Sequence, residues 1–156
     1  MKLGEALSKL KIEKGTLARM LQHRRENLVV YEGEEPSFDP KELTNDINKK
    51  LKEIRELKLG IQKANMENKI SGQDKTIAEA LIEINDIRSE LASLKTLFYK
   101  RDRLFRREKD ELKEIQLMDE KELEQEIQRL QSEKSKLDDQ LQMTNWSLEL
   151  NSFVHK

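Results

Sequence analysis

Residues 76–105 read TIAEALIEINDIRSELASLKTLFYKRDRLF, and the fold class follows from this stretch. Apolar side chains recur after alternating steps of four and three residues, a spacing that places them along one face of an α-helix. The positions on this face are Ala80, Ile84, Ile87, Leu91, Leu94, Phe98, Arg101 and Phe105. Further apolar residues widen it: Ile77, Leu81, Ile82, Leu97 and Leu104. The stretch predicts a long, central helix over about residues 77–107.

Three other segments carry narrower apolar faces with the same spacing, and they predict helices over about residues 2–31, 40–64 and 120–148. Lys14 and Arg24 interrupt the first face. They are either long side chains that reach past apolar surface to water or a buried functional pair. Short connections favour antiparallel neighbours. The sequence therefore predicts an all-α fold, an antiparallel, coiled-coil-like bundle of about four long amphipathic helices in a single domain, residues 1–156.

Cap residues mark three of the predicted helix starts. In each, an N-cap side chain is followed three positions later by a glutamate that can bond back to the cap amide. The pairs are Asp39 with Glu42, Thr76 with Glu79, and Asp119 with Glu122. Residues 108–118 fit neither the helical nor the strand period, so an irregular connector is expected before the last helix. No repeat with a period of 20–50 residues is evident.

The composition is that of long, solvated helices. Charged residues make up 39% of the chain and hydrophobic residues 35%, a balance too polar for a thick globular core. Charge interrupts the N-terminal stretch, and no apolar run reaches about 18 residues, so neither a secretory signal nor a transmembrane helix is expected. There is no cysteine, which is compatible with a reducing compartment. The expected location is cytoplasmic.

No motif for catalysis, a cofactor or a metal is found. His23 and His155 are the only imidazoles, and neither lies in a metal-binding helical pattern. Phosphate-binding loops and nucleophile elbows are absent. The acidic turn at residues 32–39 lacks the spacing of a calcium loop and is interpreted as solvated. The sequence therefore predicts a non-enzymatic protein without cofactor or metal.

One basic cluster stands out against a net charge of −1. Its members are Lys100, Arg101, Arg103, Arg106, Arg107 and Lys109. The cluster is either a site for phosphate, nucleic acid or lipid headgroups, or an ion-paired helix end or subunit contact. Because 30 Lys and Arg are matched by 31 Asp and Glu, tight nucleic-acid binding is not expected.

Apolar residues without a predicted cover lie at the end of the third helix and in the connector. They are Leu97, Leu104, Leu112, Ile115, Leu117 and Met118. Exposed apolar patches mark interaction surfaces, and closed symmetric homo-oligomers are the commonest assemblies. The predicted partner is therefore a second copy of the chain, in at least a dimer, with another protein as the alternative.

Five short motifs, in this order along the chain, resemble those of the septicolysin-like family of small, mostly uncharacterised bacterial proteins. They are Asn27 with the turn 32–36 and the cap segment 39–43, Asn65, residues 76–81, Arg101 and Arg103 before Arg107, and Asn145 with Trp146. The family name implies a haemolytic toxin, and the resemblance implies no catalytic residues. The leading hypothesis is a self-associating structural or interaction protein. The alternative is a membrane-active cytolysin, and a third, ranked below both, is a nucleic-acid or other polyanion binder.

Overall fold

The computed structural model describes residues 1–104 and 117–150, with side chains for residues 1–97 and 117–150. These residues form four α-helices: α1 (Leu3–Glu26), α2 (Pro40–Glu67), α3 (Ile77–Leu104) and α4 (Glu120–Ser147). Apart from two isolated β-bridges, no strand pairing occurs in this part of the chain. The predicted fold class, an all-α helical bundle, is confirmed.

The chain divides into two compact units. Unit 1 contains Met1–Asn68 and Thr144–Lys156, and unit 2 contains Lys69–Met143. In unit 1, α1 packs against α2. The buried apolar residues of this unit within α1 and α2 are Leu3, Ala6, Ile47, Ile54, Leu57, Ile61 and Ala64. Within α1, the buried residues lie only in the first turn. Most of the apolar face predicted for α1 is therefore partly exposed to solvent.

The C-terminal segment of unit 1 is joined to the start of α1 by backbone hydrogen bonds. Lys2 and Glu149 form an antiparallel bridge, the Leu3 amide donates to the Leu148 carbonyl at 2.9 Å, and the Leu150 amide donates to the Met1 carbonyl at 2.9 Å. One of the first-turn amides of α1, which has no partner within the helix, is satisfied in this way.

The indole of Trp146 lies directly over Gly4. A Cβ placed on Gly4 would come within 3.0 Å of the indole Cδ2 and within 3.2 Å of the Asn145 carbonyl oxygen. Only a residue without a side chain lets the backbone and the ring approach this closely.

Unit 2 is organised in the same way, except that its chain is continuous. Lys69 and Thr76 form the second antiparallel bridge, at the start of α3, and the Ile70 amide donates to the Lys75 carbonyl at 3.0 Å. Gln73 in this loop donates to Gln140 of α4 at 2.6 Å. The buried apolar residues of the unit are Ile70, Ile77, Ala80, Ile84, Ile87, Leu91, Leu94, Leu123, Leu130, Leu137 and Leu141.

The two units repeat one pattern. The segment Lys2–Leu7, KLGEAL, corresponds to Thr76–Leu81, TIAEAL, and the start of α2, DPKEL from Asp39, corresponds to DEKEL from Asp119. Helices α2 and α4 both have 28 residues, and the order of buried and exposed positions is the same in 61–70 and 141–150. In unit 1 the start of α1 is bridged to the extended segment that follows α4, and in unit 2 the start of α3 is bridged to the extended segment that follows α2.

At α3 the structure has both hydrogen bonds of the predicted cap pair, and at α2 it has the predicted N-cap residue, Asp39, without a bond from Glu42 back to the cap amide among the described contacts. The Asp39 carboxylate accepts from the Lys41 amide at 2.9 Å, with Pro40 at the first helical position. At α3 the Glu79 amide donates to the Thr76 hydroxyl at 3.1 Å, and Glu79 accepts from the Thr76 amide at 2.6 Å. At α4 the Asp119 amide points to Glu122 at 3.4 Å. Local hydrogen bonding to side chains therefore sets where these helices begin.

Two helix ends differ from the sequence prediction, and both are set by asparagines. Helix α1 ends at Glu26 rather than near residue 31, because the Asn27 side-chain amide donates to the His23 carbonyl at 2.8 Å. Helix α2 runs to Glu67 rather than residue 64, and the Asn68 side chain donates to the Ala64 carbonyl at 2.8 Å. In both cases the side chain satisfies a carbonyl of the last turn.

Candidate interaction surface

The loop between α1 and α2 exposes a run of apolar side chains, which we call the apolar tip (residues 28–31). It consists of Leu28, Val29, Val30 and Tyr31, and the exposed fraction reaches 84% for Val29 and 83% for Tyr31. The sequence prediction placed Leu28 and Tyr31 on the apolar face of the first helix, which was wrong. Val29 and Val30 are β-branched and lose side-chain freedom in a helix, which favours ending the helix before them.

The loop that carries the apolar tip is held by specific contacts. The rings of Phe38 and His23 stack with their centroids 4.9 Å apart, and the Phe38 amide points to the Asn27 side-chain oxygen at 3.4 Å. Beyond the tip, the Glu34 amide donates to the Tyr31 carbonyl at 3.0 Å, in a turn where Gly33 has a φ of 91°. This left-handed conformation favours glycine. The apolar tip is therefore presented at a defined place on the hairpin.

Three glutamates follow the apolar tip directly and are also exposed. Glu32, Glu34 and Glu35 have no basic residue between Asn27 and Phe38 to balance them. No group of His, Asp and Glu suited to a metal ion occurs in the part of the chain that the structure describes. The loop thus combines exposed apolar side chains with a local negative charge.

Apolar exposure continues along the helices that lead to this loop. Ile12 and Leu21 of α1 and Leu51 of α2 are exposed. Of the two residues that interrupt the predicted face of α1, Arg24 is half-buried and points to the Thr44 hydroxyl of α2 at 3.4 Å, while Lys14 is exposed. Neither residue forms the buried functional pair that the sequence left open.

The structure adds an ion pair between α1 and α2 that the sequence did not indicate. The Lys50 ammonium lies 2.8 Å from Glu13 of α1 and 2.6 Å from Glu53 of its own helix. The hydrogen bond to Glu13 makes the largest contribution to raising the pKa of Lys50 above its ordinary value, and the hydrogen bond to Glu53 makes the second largest. Glu13 and Lys50 are about one-fifth exposed, so water screens the pair only partly.

Three residues of the predicted oligomer contact have side chains that the structure describes. Leu97 at the end of α3 is 47% exposed, and Leu117 and Met118 before α4 are 95% and 49% exposed. Leu104 is the last described residue of α3, but its side chain is outside the described set, and Leu112 and Ile115 lie outside the described residues altogether. Each of the three presents apolar surface that no side chain of the described residues covers fully.

Three members of the basic cluster lie on the end of α3. These are Lys100, Arg101 and Arg103, whose backbone is helical and whose side chains are not among those described. Arg106, Arg107 and Lys109 lie outside the described residues. Whether the cluster is an anion site or a subunit contact therefore stays a prediction.

Comparison with known proteins gives a family and a fold. The model of a family of unknown function (DUF6847) matches residues 13–150. A crystal structure of a functionally unknown conserved protein from Corynebacterium diphtheriae is similar over 97% of this chain and 99% of that one, with a TM-score of 0.83 and 24% sequence identity. No protein of curated function matches the chain.

These matches correct the resemblance drawn from the sequence. The assignment to a septicolysin-like family was wrong, because the matching family is one of unknown function and nothing among the similar proteins points to septicolysin. The motifs behind it are caps, turns and helix ends, as the structure shows for Asn27, Asp39 and Thr76. Such features recur wherever helices begin and end. Among the described helices, none has an apolar stretch long enough to cross a membrane.

Proposed function

We propose, for a chain that belongs to a family of unknown function (DUF6847), a role as a non-enzymatic helical protein that binds protein surfaces and associates with itself. We also propose a cytoplasmic location, with which a sequence without cysteine is compatible. The observation that carries the proposal is uncovered apolar surface at the end of α3 and the start of α4.

Leu97, Leu117 and Met118 supply that surface, and the exposed fraction of Leu117 is 95%. Removing apolar surface from water stabilises a complex by about 25 cal/mol for each Å² buried. In a chain that is 39% charged, large apolar side chains at exposed positions are unexpected. Exposed apolar patches mark interaction surfaces, so these residues favour a surface that becomes buried in an assembly. A second copy of the chain is the proposed partner, because most soluble oligomers are symmetric homo-oligomers.

Light scattering on the purified chain at micromolar concentration tests the proposal. We expect a mass at least twice the 18.5 kDa of one chain. Replacing Leu97 and Leu117 by serine should shift the distribution toward the single-chain mass. A matched control is Leu59→Ser, because Leu59 is also exposed but lies on α2, outside the proposed contact. A single-chain mass for the unaltered protein across a tenfold dilution series would refute the proposal.

A further inference from the structure

Helix α1 carries a stripe of exposed apolar and basic side chains beside the face that packs on α2. Its members follow one another after steps of four, three, four and three residues, so they lie along one face of the helix. The exposed fraction is 38% for Leu7 and 39% for Leu21, which lie at the two ends of the stripe. Within the part of the chain that the structure describes, Lys11 and Lys14 form no ion pair. The members of this basic stripe are Leu7, Lys11, Lys14, Ala18 and Leu21, all of them exposed.

Helix α3 carries an exposed stripe of the opposite charge, away from its buried apolar face. Its members follow one another after steps of four, four, three and four residues, which again places them along one side of the helix. The exposed fraction is 63% for Ile82 and 47% for Leu97, the two end members. Asp86 and Glu90 form no ion pair with another described residue. The members of this acidic stripe are Ile82, Asp86, Glu90, Ser93 and Leu97, all of them exposed.

The two stripes have the same order of side-chain types. Each begins and ends with a large apolar residue, and each carries two charged residues and then one small residue between these ends. At 1.5 Å per residue, the basic stripe is about 21 Å long and the acidic stripe about 22 Å long. When α1 of one copy lies beside α3 of another copy in the same direction, each residue therefore meets one of matching type. The pairs are Leu7 with Ile82, Lys11 with Asp86, Lys14 with Glu90, Ala18 with Ser93, and Leu21 with Leu97.

The parallel direction is the one that pairs both lysines with carboxylates. In that direction Lys11 would face Asp86, and Lys14 would face Glu90. In the antiparallel direction Lys14 and Glu90 would still meet, but Lys11 would face Ser93. Opposite charges at facing positions of two packed helices set both the choice of partner and the orientation. Charge complementarity therefore favours the parallel direction.

We infer that the basic stripe of one copy packs in parallel against the acidic stripe of a second copy. This inference rests on the proposed self-association and names the surfaces that produce it. A second copy is the occupant because it supplies a stripe of opposite charge, matching length and apolar ends. Leu97 belongs to the acidic stripe, so the contact includes part of the apolar surface that carries the proposed function.

A charge-reversal pair tests the inference on the full chain. The first variant carries Lys11→Glu with Lys14→Glu, and the second carries Asp86→Lys with Glu90→Lys. Each variant alone places like charges opposite each other, so we expect each to weaken self-association at least tenfold in light scattering. In an equimolar mixture, each altered stripe meets a stripe of opposite charge on the other variant. We therefore expect the mixture to regain the mass of the unaltered protein.

Two control variants make the same changes in net charge at exposed positions outside both stripes. Lys58→Glu with Lys136→Glu matches the first variant, and Glu124→Lys with Asp139→Lys matches the second. Both controls should keep the mass of the unaltered protein, and circular dichroism should report the same helix content for all four variants. Self-association of the unaltered protein should also weaken about tenfold between ~50 and ~500 mM salt, because salt screens exposed charges.

The direction of packing is tested by Lys11→Glu in one chain and Asp86→Lys in another. These two residues face each other only in the parallel direction, so we expect the mixture to associate more tightly than either variant alone. A mixture that associates no more tightly would refute the parallel packing.

Two further outcomes overturn the inference without touching the proposed self-association. If either double variant keeps the mass of the unaltered protein, the contact lies elsewhere. If both double variants are single chains and their mixture stays so, the two stripes do not face each other. A single-chain mass for the unaltered protein would instead refute the proposed function itself.

Discussion

Replacing Gly4 and Gly15 by alanine, one at a time, should change the free energy of unfolding in opposite directions. Both glycines lie in α1, but their surroundings differ. A Cβ on Gly15 meets no atom within 4 Å, whereas a Cβ on Gly4 meets the Trp146 ring at 3.0 Å and the Asn145 carbonyl oxygen at 3.2 Å. Comparing the two variants therefore separates the effect of helix propensity on the free energy of unfolding from the effect of steric contact, within one helix.

The expected magnitudes follow from these distances. At Gly15 alanine should stabilise the protein by about 0.5–1 kcal/mol, because glycine loses more backbone entropy in a helix. At Gly4 the gain is no larger, and the added methyl must displace either the ring or the backbone oxygen, an overpacking that costs about 1–3 kcal/mol. Gly4→Ala should therefore be less stable than Gly15→Ala by about 1–3 kcal/mol.

Urea unfolding followed by tryptophan fluorescence measures both effects at once, since Trp146 is the only tryptophan in the chain. With a slope of about 2 kcal/mol/M, a change of 1 kcal/mol moves the midpoint by about 0.5 M. Gly4→Ala should also alter the emission of the folded protein, and Gly15→Ala should not. If Gly4→Ala raised the midpoint as much as Gly15→Ala and left the emission unchanged, the ring would not lie against Gly4.

Three further predictions concern a cap, the basic cluster and an ion pair. Asp39→Ala should cost about 0.5–2 kcal/mol in a chemical melt, because it removes the side-chain acceptor at the start of α2; an unchanged midpoint would show that Asp39 is not the cap. The cluster at residues 100–109 should not bind DNA or RNA tightly, and a submicromolar complex at ~150 mM salt in a binding titration would contradict this. The pKa of Lys50 is raised in the folded protein, mainly by Glu13, so its contribution to stability is present below the ordinary lysine pKa and is lost as pH rises through the folded value. Alkaline titration should therefore destabilise the unaltered protein more than Lys50→Met, whereas Lys49→Met, which removes a more exposed lysine, should behave like the unaltered protein.

The sequence was sufficient for the fold class and for most helix starts, because both depend on local chemistry. The spacing of Ile84, Ile87, Leu91 and Leu94 predicts a helix face that is buried as expected. The cap pair of Thr76 and Glu79 is found with both hydrogen bonds in place. Apolar spacing alone did not locate the end of α1, since Leu28 continues the period but lies in the loop. The signal that ends the helix is Asn27, followed by two valines.

The candidate surface was less accessible to sequence reasoning. Leu97, Leu117 and Met118 were predicted to lack cover and are exposed, because the wide apolar face of α3 and the poor periodicity of the connector are visible in the sequence. The apolar tip was not predicted, because Leu28 and Tyr31 fit the helical spacing of the first predicted helix. The ion pair of Glu13 with Lys50 was missed for a different reason: it joins two helices whose relative register no local pattern reveals.

The repetition of the two units was not predicted from the sequence, and the spacing of the matching segments explains why. The matching segments stand 74 and 80 residues apart, as Lys2 to Thr76 and Asp39 to Asp119 show. These spacings exceed the 20–50 residues of ordinary structural repeats. The units also share few identical residues beyond the caps and the first turns. The order of buried and exposed positions that residues 61–70 share with residues 141–150 becomes visible only in the structure.

The bridge between Lys2 and Glu149 has a consequence for how the chain folds as it is synthesised. Unit 2 is continuous, so all of its residues have left the ribosome once Met143 has emerged. Unit 1 contains residues from both ends of the sequence, and the Leu3 amide finds its carbonyl partner only when Leu148 has been made. Since domains emerging from the ribosome generally fold in the order of their completion, the hairpin translated first is the one completed last.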